Sequence, residues 1–353
     1  MNKKVCIIGC AAAILMAGMA GCSRMKEKYS DDRSPVATEV SRSAGETVTG
    51  NGLTVAGESA SDSESASDSE LASTSAVKAS HPPADAPSLL ASLSPGIPGP
   101  VFIRPQGMNL EERFPAPDGY ARTEAPEGSF QSYLRGFPLK PDGSRVMLYD
   151  GTEKHWQDVH AAVFAMPVFD SDLQQCADSV IRVYAEYFWA SGNYDKVAFH
   201  LTNGFLMDYP SWRDGNRLLV DGSHVSWIKK ASYDDSYETF LLYLKYVMMY
   251  AGTLSLDEES TAISPEQLQA GDMFIRGGSP GHCVMVADVA VNGSGQTCFL
   301  LAQGYMPAQD FHILKNPAQS DDPWYYTEML EYPFVTPEYV FQEGSLKRWL
   351  VLR

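Results

Sequence analysis

Cysteine and basic side chains are scarce in this chain. Six cysteines among 353 residues are too few to staple a disulfide scaffold. Lys and Arg together number 27 against 44 Asp and Glu, a formal net charge of −17. That balance argues against a nucleic-acid partner, since a phosphate backbone is held by Lys and Arg. There is no Gly-Lys-Ser/Thr phosphate loop and no dinucleotide fingerprint, so no cofactor is expected. The seven histidines lack close ligand spacing, and His282-Cys283 would point to opposite faces of a strand, so no metal site is expected. No apolar run reaches the ~20 residues that a membrane-spanning helix needs. The hydrophobic fraction, 44%, is still enough for a core, and the length suits one large domain or two small ones.

The chain starts with a basic Asn2-Lys3-Lys4, runs apolar over residues 5–20 and ends this block in Met19-Ala20-Gly21-Cys22. A charged start, an apolar middle and small residues before a cut make a secretory leader over 1–21. The block resembles a bacterial lipoprotein signal. That resemblance implies acylation of Cys22, palmitate included, and a membrane partner reached through the acyl chains rather than by a span. Ser23-Arg24-Met25-Lys26 brings no acidic run that would favour surface display. The expected place is the bacterial cell envelope, lipid-anchored and facing the periplasm.

Residues 22–98 are dominated by Ser, Ala, Asp, Glu and Pro, and Ser59-Ala60-Ser61-Asp62-Ser63-Glu64 repeats at once as Ser65-Ala66-Ser67-Asp68-Ser69-Glu70. Such a composition buries too little to offset chain entropy, so a disordered acidic tether is expected. Most aromatics follow it, with no second break, which points to one α+β domain over 99–353. Removing the leader leaves Cys176, Cys283 and Cys298 in this body. Three is odd, so at least one thiol stays free in a monomer; Cys283 and Cys298 lie on adjacent expected strands and could pair, leaving Cys176.

Apolar residues at three- and four-residue spacing predict a helix over 172–190 carrying Cys176, with Ser171 and Gln174 as its capping box. A second helix is expected over 235–251, apolar almost all round and stopped by Gly252, as a central core element. Strands are expected over 145–148, 160–165, 197–201, 205–209, 273–275, 282–291 and 297–303. Thr202-Asn203-Gly204 reads as a hairpin turn. Asp178, Arg182 and Glu186 recur every fourth residue and read as a salt-bridge ladder. Tyr305, Trp324, Tyr325 and Tyr326 read as core or rim packing.

The chemistry centres on one hairpin. Gly271-Asp272 leads into a short apolar strand, Gly277-Gly278-Ser279-Pro280-Gly281 forms a loop, and His282 opens the next strand. If Asn292-Gly293 makes a two-residue turn, Val291 faces Ser294, Asp288 faces Thr297 and His282 faces Gln303, on one face of the sheet. A four-residue loop would instead set His282 opposite Tyr305, and a three-residue loop would turn Gln303 to the other face. A primary amide beside an imidazole is what a Cys–His nucleophile system uses to fix its ring.

The order of a Cys-bearing helix, Gly271-Asp272, a strand opened by His282 and a strand closed by Gln303 resembles the papain-like cell-wall amidases and peptidases of the NlpC and CHAP kind. The resemblance implies a papain-like fold, a core helix packed on a mainly antiparallel sheet. It implies Cys176 as nucleophile, His282 as base and Gln303 as the residue that orients the ring; the Cys176 backbone N–H with Gln174 or Gln175 is then expected to stabilise the oxyanion. The usual Asp-Cys-Ser-Gly stretch is replaced by Gln175-Cys176-Ala177-Asp178, and Cys176 falls at about the fourth or fifth helical position, where dipole support fades. The substrate implied is an amide or peptide bond, with cell-wall peptide as the class. Gln175-Cys176-Ala177-Asp178, Thr202-Asn203-Gly204-Phe205, Gly278-Ser279-Pro280-Gly281-His282 and Ala302-Gln303-Gly304-Tyr305-Met306-Pro307-Ala308-Gln309-Asp310 also resemble a family of bacterial lipoproteins of unknown function, over most of residues 110–350. The alternative to a thiol hydrolase or acyltransferase is a non-catalytic binding or assembly lipoprotein that packs Cys176 in its core.

Overall fold

A computed structural model describes residues 101–352. The expected leader, the acylation site Cys22 and the tether lie outside these residues. A mixed α/β domain surrounds a nine-stranded sheet in which every pairing is antiparallel. Its path runs His160–Val163, His312–Leu314, Thr297–Gln303, His282–Asn292, Met273–Arg276, Leu346–Trp349, Ser260–Ala262. Tyr120–Arg122 adds to the far half of the His282 strand, and Tyr325–Tyr326 to the Thr297 strand.

The central strand is buried from His282 through Ala290, because both faces of the sheet are covered. Cys283, Met285 and Ala287 face the larger core with Met273, Ile275, Leu300 and Ala302. The Cys176–Ala190 helix packs there through Val180, Ile181, Tyr184 and Phe188. Val284 and Val286 face a smaller cluster with Phe274, Phe299, Leu301, Phe334 and Phe341. The Tyr184 hydroxyl donates to Gly271 O at 2.7 Å, so the helix is tied to the turn that opens the first strand of the hairpin. Asp288 is fully buried and holds Arg122 and Arg135 at 2.6 and 2.9 Å, which fastens the N-terminal segment to the centre of the sheet.

Several expected boundaries shift. The first helix starts at Cys176 rather than near residue 172. Its N-terminus is closed by Asp178 Oδ2, which accepts from Gln175 N–H at 3.1 Å, in place of a Ser171–Gln174 box. The second helix is Tyr237–Tyr250, capped by Ser236. It buries one face through Phe240, Tyr243, Leu244 and Val247 and exposes Leu242 and Met249, so it is amphipathic rather than central. Gly252 caps the start of the next helix, Thr253–Glu258. Residues 145–148 make only isolated bridges, while a hairpin of Asn216–Asp221 and His224–Lys229 forms unannounced. The Thr202-Asn203-Gly204 turn joins its expected strands, with Gly204 at φ 82°. The helical ladder reduces to Arg182–Glu186 at 3.4 Å, because Asp178 is taken up by the helix start. Trp324 and Tyr325 are buried, and Tyr305 and Tyr326 are half-buried.

The hairpin register also differs. Thr297 faces Val291 and Leu300 faces Asp288, then a bulge at Ala287 sets Leu301 opposite Val286. Residues 293–296 form the loop, closed by Asn292 N–H to Gln296 O at 2.9 Å, and Gly295 rather than Gly293 takes the positive φ of 81°. Asp288 therefore does not face Thr297. Cys298 lies opposite Ala290 while Cys283 lies at the other end of the strand beside Met273 Sδ at 3.6 Å. All three cysteines of the domain are free thiols, so a Cys283–Cys298 bridge does not form.

Candidate active site

Cys176 is the first residue of its helix, not its fourth or fifth, so it stands where the positive end of the helix dipole is strongest. It is half-buried and lines a cleft of about 380 Å³. Gln175, Asp178, Met248, Thr253, Gly281 and Met306 share that cleft. Burial pushes the Cys176 thiol up to about 11, against a smaller lowering influence from the main-chain N–H groups of Ala177, Cys176 and Cys283.

Gly304 explains how the helix start comes so near the sheet. A Cβ there would lie 2.3 Å from Ser179 Oγ and 2.9 Å from Gln175 O. Asp172 Oδ1 accepts from Ala308 N–H at 2.7 Å and holds the loop after Gln303 against the approach to the helix.

The expected contact between His282 and Gln303 is present, at 2.8 Å from Nε2 to Oε1, although the two residues are not directly opposed. The bulge and the longer loop turn His282 toward Tyr305, with ring centroids 5.0 Å apart. Gln303 is two residues away along the same strand and so lies diagonally on the same face. Tyr339 and Phe341 lie 4.9 and 6.0 Å from the imidazole centroid. The ring is 2% exposed, and desolvation lowers it to about 4 against the help of Gln303. At neutral pH the pair is a thiol and a neutral imidazole.

Cys176 and His282 reach the end of the central strand from opposite faces. The sulfur lies beside the backbone of Cys283, on the helix side. The imidazole packs on the side of Tyr339 and Phe341. No hydrogen bond joins them. Tyr305 packs against the imidazole, with ring centroids 5.0 Å apart. Of the two oxyanion candidates, Gln175 lines the cleft, and its side chain donates to Asp172 Oδ1 at 3.1 Å. Gln174 does not line it. It is wholly buried, and its Oε1 accepts from Arg182 Nη1, so its amide is committed away from the cleft.

Three residues escaped the sequence reading. Gln303 Nε2 donates to Glu338 Oε2 at 2.6 Å and lies 3.4 Å from His312 Nε2. Glu338 in turn pairs with Lys154, both nearly buried. These partners come from distant loops and a neighbouring strand, and no local spacing marks them. Among the described residues no group of His, Cys, Asp or Glu is placed to hold a metal, and no helix is long and apolar enough to cross a membrane.

No curated protein and no solved structure matches the chain. A family model described as "Domain of unknown function (4846)" matches residues 110–348, well over half of the sequence and nearly all of the described fold. The chain therefore belongs to the family of that domain.

Proposed function

We propose that the domain is a papain-like thiol hydrolase or acyltransferase acting on amide or peptide bonds. The observation that carries the reading is the position of Cys176. It is the first helical residue and it opens on a cleft. The roles are those suggested by the order of Cys176, His282 and Gln303 along the sequence. Cys176 Sγ bonds to the carbonyl carbon while its proton passes to His282 Nδ1, the ring nitrogen not held by Gln303. His282 returns that proton to the leaving amine as the C–N bond breaks, and water or a second amine then releases the acyl group from sulfur. In the free site the two groups lie on opposite faces of the strand end and are not hydrogen-bonded, so this reading requires Nδ1 and the sulfur to approach in the substrate complex. In this reading the main-chain N–H groups of Cys176 and Cys283 receive the developing oxyanion.

The leader expected from the sequence supports an acylated Cys22 and a position at the cell envelope, where cell-wall peptide is the substrate class at hand. Hydrolysis of such peptides by the purified protein tests the reading. Cys176→Ser is expected to abolish turnover, and His282→Ala to lower it by about 10²- to 10⁴-fold. Turnover that survives both changes would contradict it.

One observation favours a second reading, a non-catalytic binding or assembly lipoprotein. The thiol and imidazole are both held neutral by burial and do not touch. In that case Cys176→Ser would leave every property of the protein but stability unchanged.

A further inference from the structure

Gln303 is the point at which a buried polar chain changes direction, and its orientation decides which nitrogen of His282 carries the proton. His312 Nδ1 lies 2.9 Å from Asp310 O. A carbonyl only accepts, so Nδ1 is the donor and Nε2 keeps its lone pair. The Glu338 carboxylate, paired with Lys154, is likewise an acceptor. The Gln303 amide nitrogen faces both, at 3.4 and 2.6 Å. Two acceptors on one side oblige the amide to turn its NH2 there and its oxygen toward His282 Nε2, 2.8 Å away. That oxygen cannot donate, so the proton of the neutral imidazole sits on Nε2 and the lone pair on Nδ1.

We propose that Glu338, with His312, sets the tautomer of His282 by fixing the Gln303 amide, and that both are positioning residues of the site. The proposal rests on the thiol-hydrolase reading in one respect. The tautomer matters to catalysis because Nδ1 is then the nitrogen able to take the Cys176 proton. Burial is what gives the device its force. Gln303 and His312 are wholly buried and Glu338 is nearly so, so water does not offer the amide an alternative partner. Without the carboxylate only His312, at the longer 3.4 Å, favours that orientation, and a flipped Gln303 would present NH2 to His282 Nε2 and move the ring proton to Nδ1, where it blocks the base.

The test reads the ring nitrogens directly. The protein is labelled with nitrogen-15 at histidine, and two-bond proton–nitrogen correlations are recorded at neutral pH, with His282 and His312 assigned by substitution. His282 is expected as the Nε2–H tautomer and His312 as Nδ1–H. In Glu338→Ala the His282 signal is expected to move to Nδ1–H or to a mixture. Glu338→Gln keeps an oxygen that can accept from Gln303, and is expected to restore Nε2–H. An Nδ1–H tautomer at His282 in the unsubstituted protein overturns the proposal without any variant having to fold. So does a folded Glu338→Ala protein in which His282 stays Nε2–H. Acyl transfer is scored separately. It is expected to fall about tenfold or more in Glu338→Ala and to recover in Glu338→Gln. The stated tautomers, together with an unsubstituted protein that transfers no acyl group, would sink the hydrolase reading and leave the tautomer control supported.

Discussion

Asp178 and His282 are both buried beside the site, and each is held in its neutral form for want of water. Desolvation raises Asp178 to about 8 and lowers His282 to about 4. Their effects on stability have opposite signs. An unfolded Asp loses its proton near 3.8, so between about pH 4 and 8 the native state binds the extra proton and stability falls as pH rises. An unfolded His gains its proton near 6.5, so between about 6.5 and 4 the unfolded state binds more and stability falls as pH drops. Asp178→Asn retains an oxygen for the Gln175 N–H and needs no proton. Its advantage over the parent protein in urea midpoint is expected to grow from pH 4 to pH 8. A difference that stays constant with pH would show that Asp178 is not neutral in the fold. At this scale the sequence was legible only in part. Cys176, His282 and Gln303 stand out by type and order, and the last two do meet. Glu338 is 35 residues from Gln303 and Lys154 is 184 from Glu338, so nothing in their own neighbourhoods marks them.

The elements show why the same pattern can give the right contact through the wrong register. Asn292-Gly293 is a strong turn signal, yet Asn292 closes a longer loop with Gln296 and leaves the tight conformation to Gly295. The bulge at Ala287 then returns part of the offset. An alternation of two residues along a strand keeps Tyr305 and Gln303 on one face, which is why either pairing allows His282 to find the amide. The helix start departs from the apolar spacing for a related reason. Apolar spacing continues through Leu173, but the chain becomes helical only where Asp178 can close the terminus. Gly304 is the joint between these elements. Gly304→Ala would drive a Cβ into Ser179 Oγ and Gln175 O and push the start of the helix off the strand end. The expected result is a loss of about 1–3 kcal/mol, measured by urea unfolding, together with a larger proportional loss of reactivity at Cys176. A variant as stable and as reactive as the parent would mean that the close approach is not needed.

Across the whole molecule, the apolar fraction and the single stretch rich in aromatics point to one α+β domain, the structure shows a mixed α/β domain with a large antiparallel sheet, and the family match over residues 110–348 covers the same stretch. The short C-terminal strands and the Asn216–Lys229 hairpin carry little periodicity, and their pairing is decided by distant partners. The cysteines supply an internal comparison for the central claim. Cys283 and Cys298 are wholly buried, whereas Cys176 is half-buried at the cleft. The most direct measurement is to incubate the native protein with an activated acyl ester at neutral pH and locate the adduct by mass spectrometry. The account predicts a thioester on Cys176, none on Cys283 or Cys298, and a rate at least about 100-fold lower in His282→Ala. A Cys176 that stays unmodified until denaturant is added, like its two buried counterparts, would contradict it.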